Sequence, residues 1–160
     1  MSLSISKSNV LLGLTPIIVD AAGGEVPSNL SDPDHSLTFT CGSSIDHFQA
    51  SYGVLSNISY IALSGHNAAS VSSCKIEILD GTTLIDDVTI TRNHNIMFTF
   101  PEMNFTNLIV RFVNVPTTRR FTLSFIAAGE HIEIATGEQA GYKRNWLNRH
   151  TTQRTTTNLQ

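Results

Sequence analysis

The chain has 160 residues, of which 41% are hydrophobic and 14% charged, and its formal net charge is −3. This length favours a single domain that can bury a core without disulfide bonds or bound metal. The net negative charge argues against general nucleic-acid binding, and no apolar run approaches the length needed to cross a bilayer. Ser, Thr and Asn make up for the low charged fraction, a composition common in β-sandwiches and in surfaces that meet other proteins.

The N-terminal region shows no leader pattern. Its apolar stretches are broken by Gly13 and Pro16, and it lacks a basic start, a long apolar centre and a cleavage site, so we expect no signal peptide. Farther along, Pro27 and Pro33 bracket Asn-Leu-Ser-Asp and predict a short helical turn near residues 29–34. Leu37 and Phe39 then predict a short strand.

From residue 58 onward, apolar and polar side chains alternate with the period of a β-strand. Residues 58–63 predict a buried strand, and the strand at 74–78 ends at the turn pair of Asp80 and Gly81. Pro101 closes the strand at 96–100. The remaining predicted strands lie at 88–90, 108–113, 121–125 and 132–134. About eight strands separated by turns indicate an all-β sandwich or barrel.

The two cysteines, Cys41 and Cys74, are too few for a disulfide framework. They lack a CxxC spacing and nearby paired histidines, which argues against structural zinc. Between a disulfide bond and two free buried thiols, we favour the thiols. The 6 histidines share no ligand spacing and no loop matches the EF-hand pattern, so we predict no metal site and no cofactor.

The strand at 58–63 leads into Gly65, His66 and Asn67, which could be part of a catalytic site, a ligand contact at a loop tip, or a corner. Catalysis lacks support, because Ser64 does not lie in a nucleophile elbow and nothing local pairs Cys41 with His66. We favour a corner in which Gly65 and Asn67 have positive φ and His66 bonds a backbone group. His66 and Asn67 stay candidate loop-tip contacts, and no catalytic residue is predicted.

Residues 141–160 differ from the rest, because they are basic and rich in Thr with few large apolar groups. Such a segment cannot hold a core of its own, and we predict an arm that orders against its own domain or a neighbour. Arg119 and Arg120 predict a solvated hairpin tip, with a subunit contact as the alternative. The arm contains residue types that protein interfaces enrich, and its candidate partner-binding residues are Tyr142, Arg144, Trp146 and Arg149.

Two motifs carry a resemblance to a known family. Residues 29–33 read Asn-Leu-Ser-Asp-Pro, and residues 58–67 read Ile-Ser-Tyr-Ile-Ala-Leu-Ser-Gly-His-Asn, ahead of alternating strands and the arm. In this order the chain resembles tailed-bacteriophage virion (tail) structural proteins with a galactose-binding-like (discoidin-like) jelly-roll domain. The resemblance implies an all-β jelly-roll β-sandwich of about eight antiparallel strands at 1–140 and an extended C-terminal arm at 141–160. It also implies that the His-Asn turn is a corner. Departures at Phe39 and at residues 53–55 affect a sugar site more than the fold.

The function that the resemblance implies is structural and non-enzymatic. It is a component of a phage virion, of the tail, tail tip or baseplate, which assembles through sandwich surfaces and the arm. The expected partners are copies of the chain and other virion structural proteins, with no nucleic acid and no membrane. The expected location is the virion, the tail more than the head, and the host cytoplasm during assembly.

Two non-enzymatic alternatives stay open, and a hydrolase ranks behind the structural protein and the carbohydrate-binding module. One alternative is a carbohydrate-binding module for host attachment, which would bind a host surface glycan. The other is a head decoration or head-tail connector protein. The candidate sugar contacts are Tyr52, His66, Asn67 and His94.

Overall fold

The computed structural model of the chain describes residues 2–19, 26–34, 36–41, 47–70, 74–115 and 119–135. The chain divides into two compact units, Ser6–His131 and the pair of segments Met1–Ile5 and Ile132–Gln160. The predicted boundary at 140 lies outside the described residues and stays a prediction. No helix within the described ranges is long and apolar enough to span a membrane.

The described residues form ten strands and two short 3-10 helices, without an α-helix. The 3-10 helices are Pro27–Ser31, which lies close to the turn predicted at 29–34, and Ala68–Ser70. The strands are β1 (Ser2–Ser6), β2 (Ile17–Val19), β3 (Phe39–Thr40), β4 (His47–Ser64), β5 (Lys75–Asp80), β6 (Thr83–Thr89), β7 (Ile96–Val113), β8 (Thr122–Leu123), β9 (Phe125–Gly129) and β10 (His131–Ala135).

Strand pairing builds a sandwich around the two longest strands, β4 and β7. The main sheet has the order β2-β4-β7-β5-β6, and β9 pairs with β4 off that path. The first part of β4 pairs with β2 and the end of β7, whereas Tyr60 to Ser64 pair with β9 and the start of β7. Every one of these pairs is antiparallel. The two parts of β4 contribute to one hydrophobic core, so the predicted β-sandwich is confirmed.

Two smaller sheets complete the described fold. β3 pairs antiparallel with β8, where Phe39 lies opposite Leu123. β1 pairs with β10.

Period-two alternation sets which side chains enter the core. Phe48 and Phe112 lie opposite each other on β4 and β7, and both are fully buried. Phe121 packs on both rings, with centroid distances of 4.9 Å to each. Each such aromatic ring buries a large apolar area, which favours folding by roughly 1.5–3 kcal/mol per side chain. This aromatic cluster supports the end of the sandwich where β4 begins and β7 ends.

The prediction that Pro101 ends a strand is wrong, because β7 runs through it to Val113. Ile58 pairs with Met103 and Tyr60 with Thr99, so three residues of β7 lie opposite Ser59. Pro101 therefore lies in a bulge, where its missing amide hydrogen costs no ladder bond. The strands predicted at 96–100 and 108–113 are the two parts of this one bent strand.

Side chains satisfy the backbone where β4 and β7 lose regular pairing. The Asp80 Oδ1 atom accepts hydrogen bonds from the Thr106 amide (2.8 Å), the Thr106 hydroxyl group (2.7 Å) and the Asn107 amide (3.0 Å). The Asn107 Oδ1 atom accepts bonds from the Ser51 hydroxyl group (2.6 Å) and the Gly53 amide (3.1 Å). The bonds that Asp80 accepts lower the pKa of its carboxyl group, and the bond from the Asn107 amide contributes most.

Candidate functional site

The polar turn after β4 is a tight corner built on Gly65. This residue has φ of +68°, as predicted, and a Cβ atom placed on it would lie 2.6 Å from the Ser124 Cβ and overlap the Ser124 Oγ. The Ser124 amide donates to the Ser64 carbonyl at 3.2 Å. The corner therefore requires glycine for two reasons, its backbone conformation and the close approach of the segment between β8 and β9.

His66 is buried beside this corner and bonds the backbone with both ring nitrogens. Its Nε2–H group donates to the His94 carbonyl at 3.0 Å, and its Nδ1 accepts from the Ala68 amide at 3.4 Å. This pattern requires the neutral imidazole protonated on Nε2. Burial lowers the pKa of His66, against the opposing effect of the bond to His94. The predicted backbone hydrogen bonding of His66 is confirmed.

Asn67 uses its side chain, not its backbone conformation, to hold the corner. The prediction of a positive φ at Asn67 is wrong, since the non-glycine residues of the described ranges with positive φ are Asn57 and Asn114. Instead, the Asn67 Nδ2 donates to the Arg120 carbonyl at 2.8 Å, and its Oδ1 accepts from the Thr122 amide at 3.1 Å. The Asn67 side chain thus satisfies one backbone carbonyl and one backbone amide at the start of β8, as a paired strand residue would.

The loop between β6 and β7 is held against the same corner. The Asn93 Oδ1 accepts from the Ala69 amide at 2.7 Å, two residues after Asn67. Within the loop, the His94 ring Nδ1 lies 3.0 Å from the Arg92 carbonyl, to which it donates. Three segments therefore meet here, residues 65–69, 92–95 and 119–121, and we name this surface the loop end.

The exposed side chains of the loop end are rich in hydrogen-bond donors. The side chains of Arg92, Asn93, His94, Arg119 and Arg120 are exposed. Guanidinium, amide and imidazole groups can bind hydroxyl groups and anions, which makes the loop end a candidate ligand surface. Loops carried by a rigid sandwich are also where such folds recognise ligands.

The described residues offer no comparable arrangement for catalysis. Both thiols are buried, as predicted, and burial raises the pKa of Cys41 and of Cys74 to about 11, so they stay protonated at neutral pH. The Ser59 hydroxyl group lies 2.8 Å from the His131 Nδ1, but Ser59 is buried and also accepts the His131 amide at 2.9 Å. No three His, Cys, Asp or Glu side chains of the described ranges group as metal ligands.

The structure brings together three of the four residues that the sequence suggests for sugar contact. His66, Asn67 and His94 meet at the loop end, with His66 buried and Asn67 half-buried. Tyr52 lies elsewhere, at the first irregularity of β4, where its hydroxyl group accepts a bond from Ser31 at 3.4 Å. Ligand contact by His66 and Asn67 stays a prediction.

The arm residues Tyr142, Arg144, Trp146 and Arg149 lie outside the described residues, and their partner binding also stays a prediction. Of the loop at 91–95, sequence reasoning named His94 as a candidate sugar contact but missed Arg92 and Asn93. Its signal was the polar run Thr-Arg-Asn-His-Asn between two strands, which differs from the short turn at Gly81.

No family model matches the chain, and no curated protein matches it either. Solved structures do share its fold. Chitosan-binding module 1 of a chitosanase/glucanase from Paenibacillus sp. IK-5 matches with a TM-score of 0.57 and 17% identity, over 77% of this chain and 99% of that one. The lectin domain of lectinolysin, solved with Lewis B antigen, matches with a TM-score of 0.57 and 11% identity, over 78% of this chain and 97% of that one.

A third match is the family 32 carbohydrate-binding module of NanJ from C. perfringens, solved with galactose. Its TM-score is 0.51 at 13% identity, over 74% of this chain and 93% of that one. At these identities the likeness shows the fold alone, a β-sandwich like that of these carbohydrate-binding modules. The predicted β-sandwich is confirmed.

Proposed function

We propose that this chain is a non-enzymatic glycan-binding module and that the loop end is its sugar-contact surface. The observation that carries the proposal is the fold likeness to modules named for chitosan, Lewis B antigen and galactose. Each likeness extends over almost the whole of the other module, so the chain has the complete sandwich on which such modules build a site.

The chemistry of the loop end supports the same function. Sugar recognition needs a few polar groups held in fixed positions by a preformed scaffold. The Asn67 side chain fixes the backbone of Arg120, and the Asn93 side chain fixes the loop that carries His94. Both loops are thus held by internal bonds before any ligand arrives, which reduces the entropy cost of binding.

A glycan array probed with the purified chain, followed by titration calorimetry on each positive sugar, tests the proposal. We expect saturable binding that the substitution His94→Ala weakens, because this side chain is exposed at the loop end. Thr83→Ala is a matched control, since Thr83 is also exposed but starts β6, whose other end leads to the loop. The seven residues of β6 span roughly 20 Å between Thr83 and the start of the loop that carries His94. Equal loss in both variants, or an array without positive sugars, would contradict the proposal.

We also propose a virion location, on the strength of the sequence resemblance at residues 58–67. In that setting the module would serve host attachment or pack among tail proteins through its sandwich surfaces and the arm. Antibody labelling of intact phage particles, viewed by negative-stain electron microscopy, tests it. Label at the tail supports a tail component and label over the head supports decoration. Unlabelled particles, with an antibody that binds the native protein, count against both.

A further inference from the structure

The cations of the described residues fall into two groups that differ in their partners. Lys7 pairs with Glu130, Lys75 with Asp87 at 2.8 Å, and the Arg111 Nε with Glu77 at 2.8 Å. The second group makes no side-chain hydrogen bond or ion pair within the described part of the chain. It consists of Arg92, Arg119 and Arg120, and all three lie exposed at the loop end.

The loop end is also free of acidic residues. Neither 65–69, 92–95 nor 119–121 contains Asp or Glu, although the whole chain has 13 acids and a net charge of −3. A local excess of positive charge attracts an anion to this surface, even on a protein whose net charge is negative. Guanidinium groups without an internal carboxylate partner keep their donors available for an external one.

The backbone carbonyl groups of two of these arginines, Arg92 and Arg120, are held by hydrogen bonds from other side chains. The Arg120 carbonyl accepts from Asn67 at 2.8 Å, and the Arg92 carbonyl accepts from the His94 ring at 3.0 Å. Asn67 also lies two residues before Ala69, whose amide holds the loop of Arg92 through Asn93. Residues 67–69 therefore hold the backbone at Arg120 and the loop that carries Arg92.

We propose that the loop end recognises a sugar that carries an anionic group, a carboxylate or a sulfate. The inference rests on the proposed function and adds the class of ligand. A planar guanidinium group binds either anion through two parallel hydrogen bonds, and the neighbouring amide and imidazole groups bind the sugar hydroxyl groups. A polynucleotide is disfavoured, because the chain as a whole is negatively charged.

Matched sugar pairs test the inference by titration calorimetry on the full chain. One pair is a galacturonic acid trimer against the neutral galactose trimer, and the other is lactose with and without a 3′-sulfate. We expect each anionic sugar to bind about tenfold tighter than its neutral partner at about 0.15 M salt, and the difference to shrink as salt is raised. Arg92→Gln and Arg120→Gln should each remove most of that difference, so that the anionic sugar loses more affinity than its neutral partner does.

Lys7→Gln is the matched control, because it removes the same charge from an exposed cation that already has the partner Glu130. Loss of the anionic preference in Lys7→Gln to the same degree would overturn the inference in favour of non-specific attraction. Equal binding of anionic and neutral sugars would overturn it while the proposed glycan binding stands. An array without any bound sugar would overturn both. A single-stranded oligonucleotide that binds tighter than every sugar would also overturn it.

Discussion

Replacing Gly65 with alanine tests whether the corner of the loop end depends on a residue without a side chain. The φ of +68° costs an L-residue about 1–2 kcal/mol. The added Cβ would also meet Ser124, whose Cβ would be 2.6 Å away, and overpacking of this kind costs about 1–3 kcal/mol. The free energy of unfolding should therefore fall by about 2–5 kcal/mol, which lowers Tm by roughly 4–20 °C in a chain of this size.

Two further variants separate the two causes. Gly81→Ala has φ of +59° but open space around the added Cβ, so it should lose only about 1–2 kcal/mol. Adding Ser124→Gly to Gly65→Ala removes the overlapping atoms, and a double-mutant cycle should report a favourable coupling of about 1–3 kcal/mol. Urea denaturation followed by circular dichroism measures the wild type, the single variants Gly65→Ala, Gly81→Ala and Ser124→Gly, and the double variant. Equal losses in Gly65→Ala and Gly81→Ala, with no coupling to Ser124, would refute the close-approach argument.

Three more predictions concern titratable groups. Burial lowers the pKa of His66 below its ordinary 6.5, so the neutral ring's contribution to stability is complete above pH 6.5 and is lost as the pH falls through the pKa of the folded state. The urea midpoint should therefore decline less with falling pH in His66→Gln than in the wild type. The pKa of Asp80 is also lowered, so its contribution is present above its ordinary 3.8 and lost in stronger acid; Asp80→Asn should lower Tm at neutral pH and weaken the acid dependence. Cys41 and Cys74, each with a pKa of about 11, should react with a thiol reagent much more slowly in native protein than in guanidinium chloride; equal rates would contradict their burial.

The alternating side chains predicted the strands well, because the core selects every second residue. Ile76 and Ile78 of β5 are fully buried, whereas Lys75 and Glu77 face the other side of the sheet and pair with charged neighbours. Strand ends were harder to predict. The two parts of β7 looked like separate strands because Pro101 stood between them, and only pairing with β4 reveals that the bulge continues the strand. A bulge is a property of two strands, so one sequence segment does not contain it.

β1 and β2 were not predicted, for a related physical reason. Ile17 and Val19 of β2 are exposed, so no alternation of buried and polar residues marks this strand. Its hydrogen bonds to β4 make it a strand, with Ile17 opposite Ser51 and Val19 opposite Gln49. Edge strands of this kind depend on a partner that is distant in sequence, and local propensity is a weak guide to them.

The candidate site shows the same division between local and long-range causes. Gly65 indicated a corner, because glycine before a polar pair is a local turn signal. The loops that meet the corner come from residues 28 and 53 positions away, since His66 bonds His94 and Asn67 bonds Arg120. Such contacts follow from the order of strands in the sheets, which a single sequence without a template does not specify. The sequence around Arg119 and Arg120 therefore predicts only a solvated hairpin tip or a subunit contact, and not their place beside Asn67.

The residues that would touch an anionic sugar and the residues that hold their loops are two different sets. The side chains of Arg92 and Arg120 are exposed to solvent. The side chains of Asn67 and His66, in contrast, form hydrogen bonds with backbone groups of the loops. A change at Asn67 would therefore reach a ligand through the position of Arg120, and it would alter affinity and stability together. A change at Arg120 itself removes only the external donor, because no internal partner within the described residues loses a bond. Substitutions at Arg92 or Arg120 should therefore change the affinity for the sugar but not the free energy of unfolding. A substitution at Asn67 should change both.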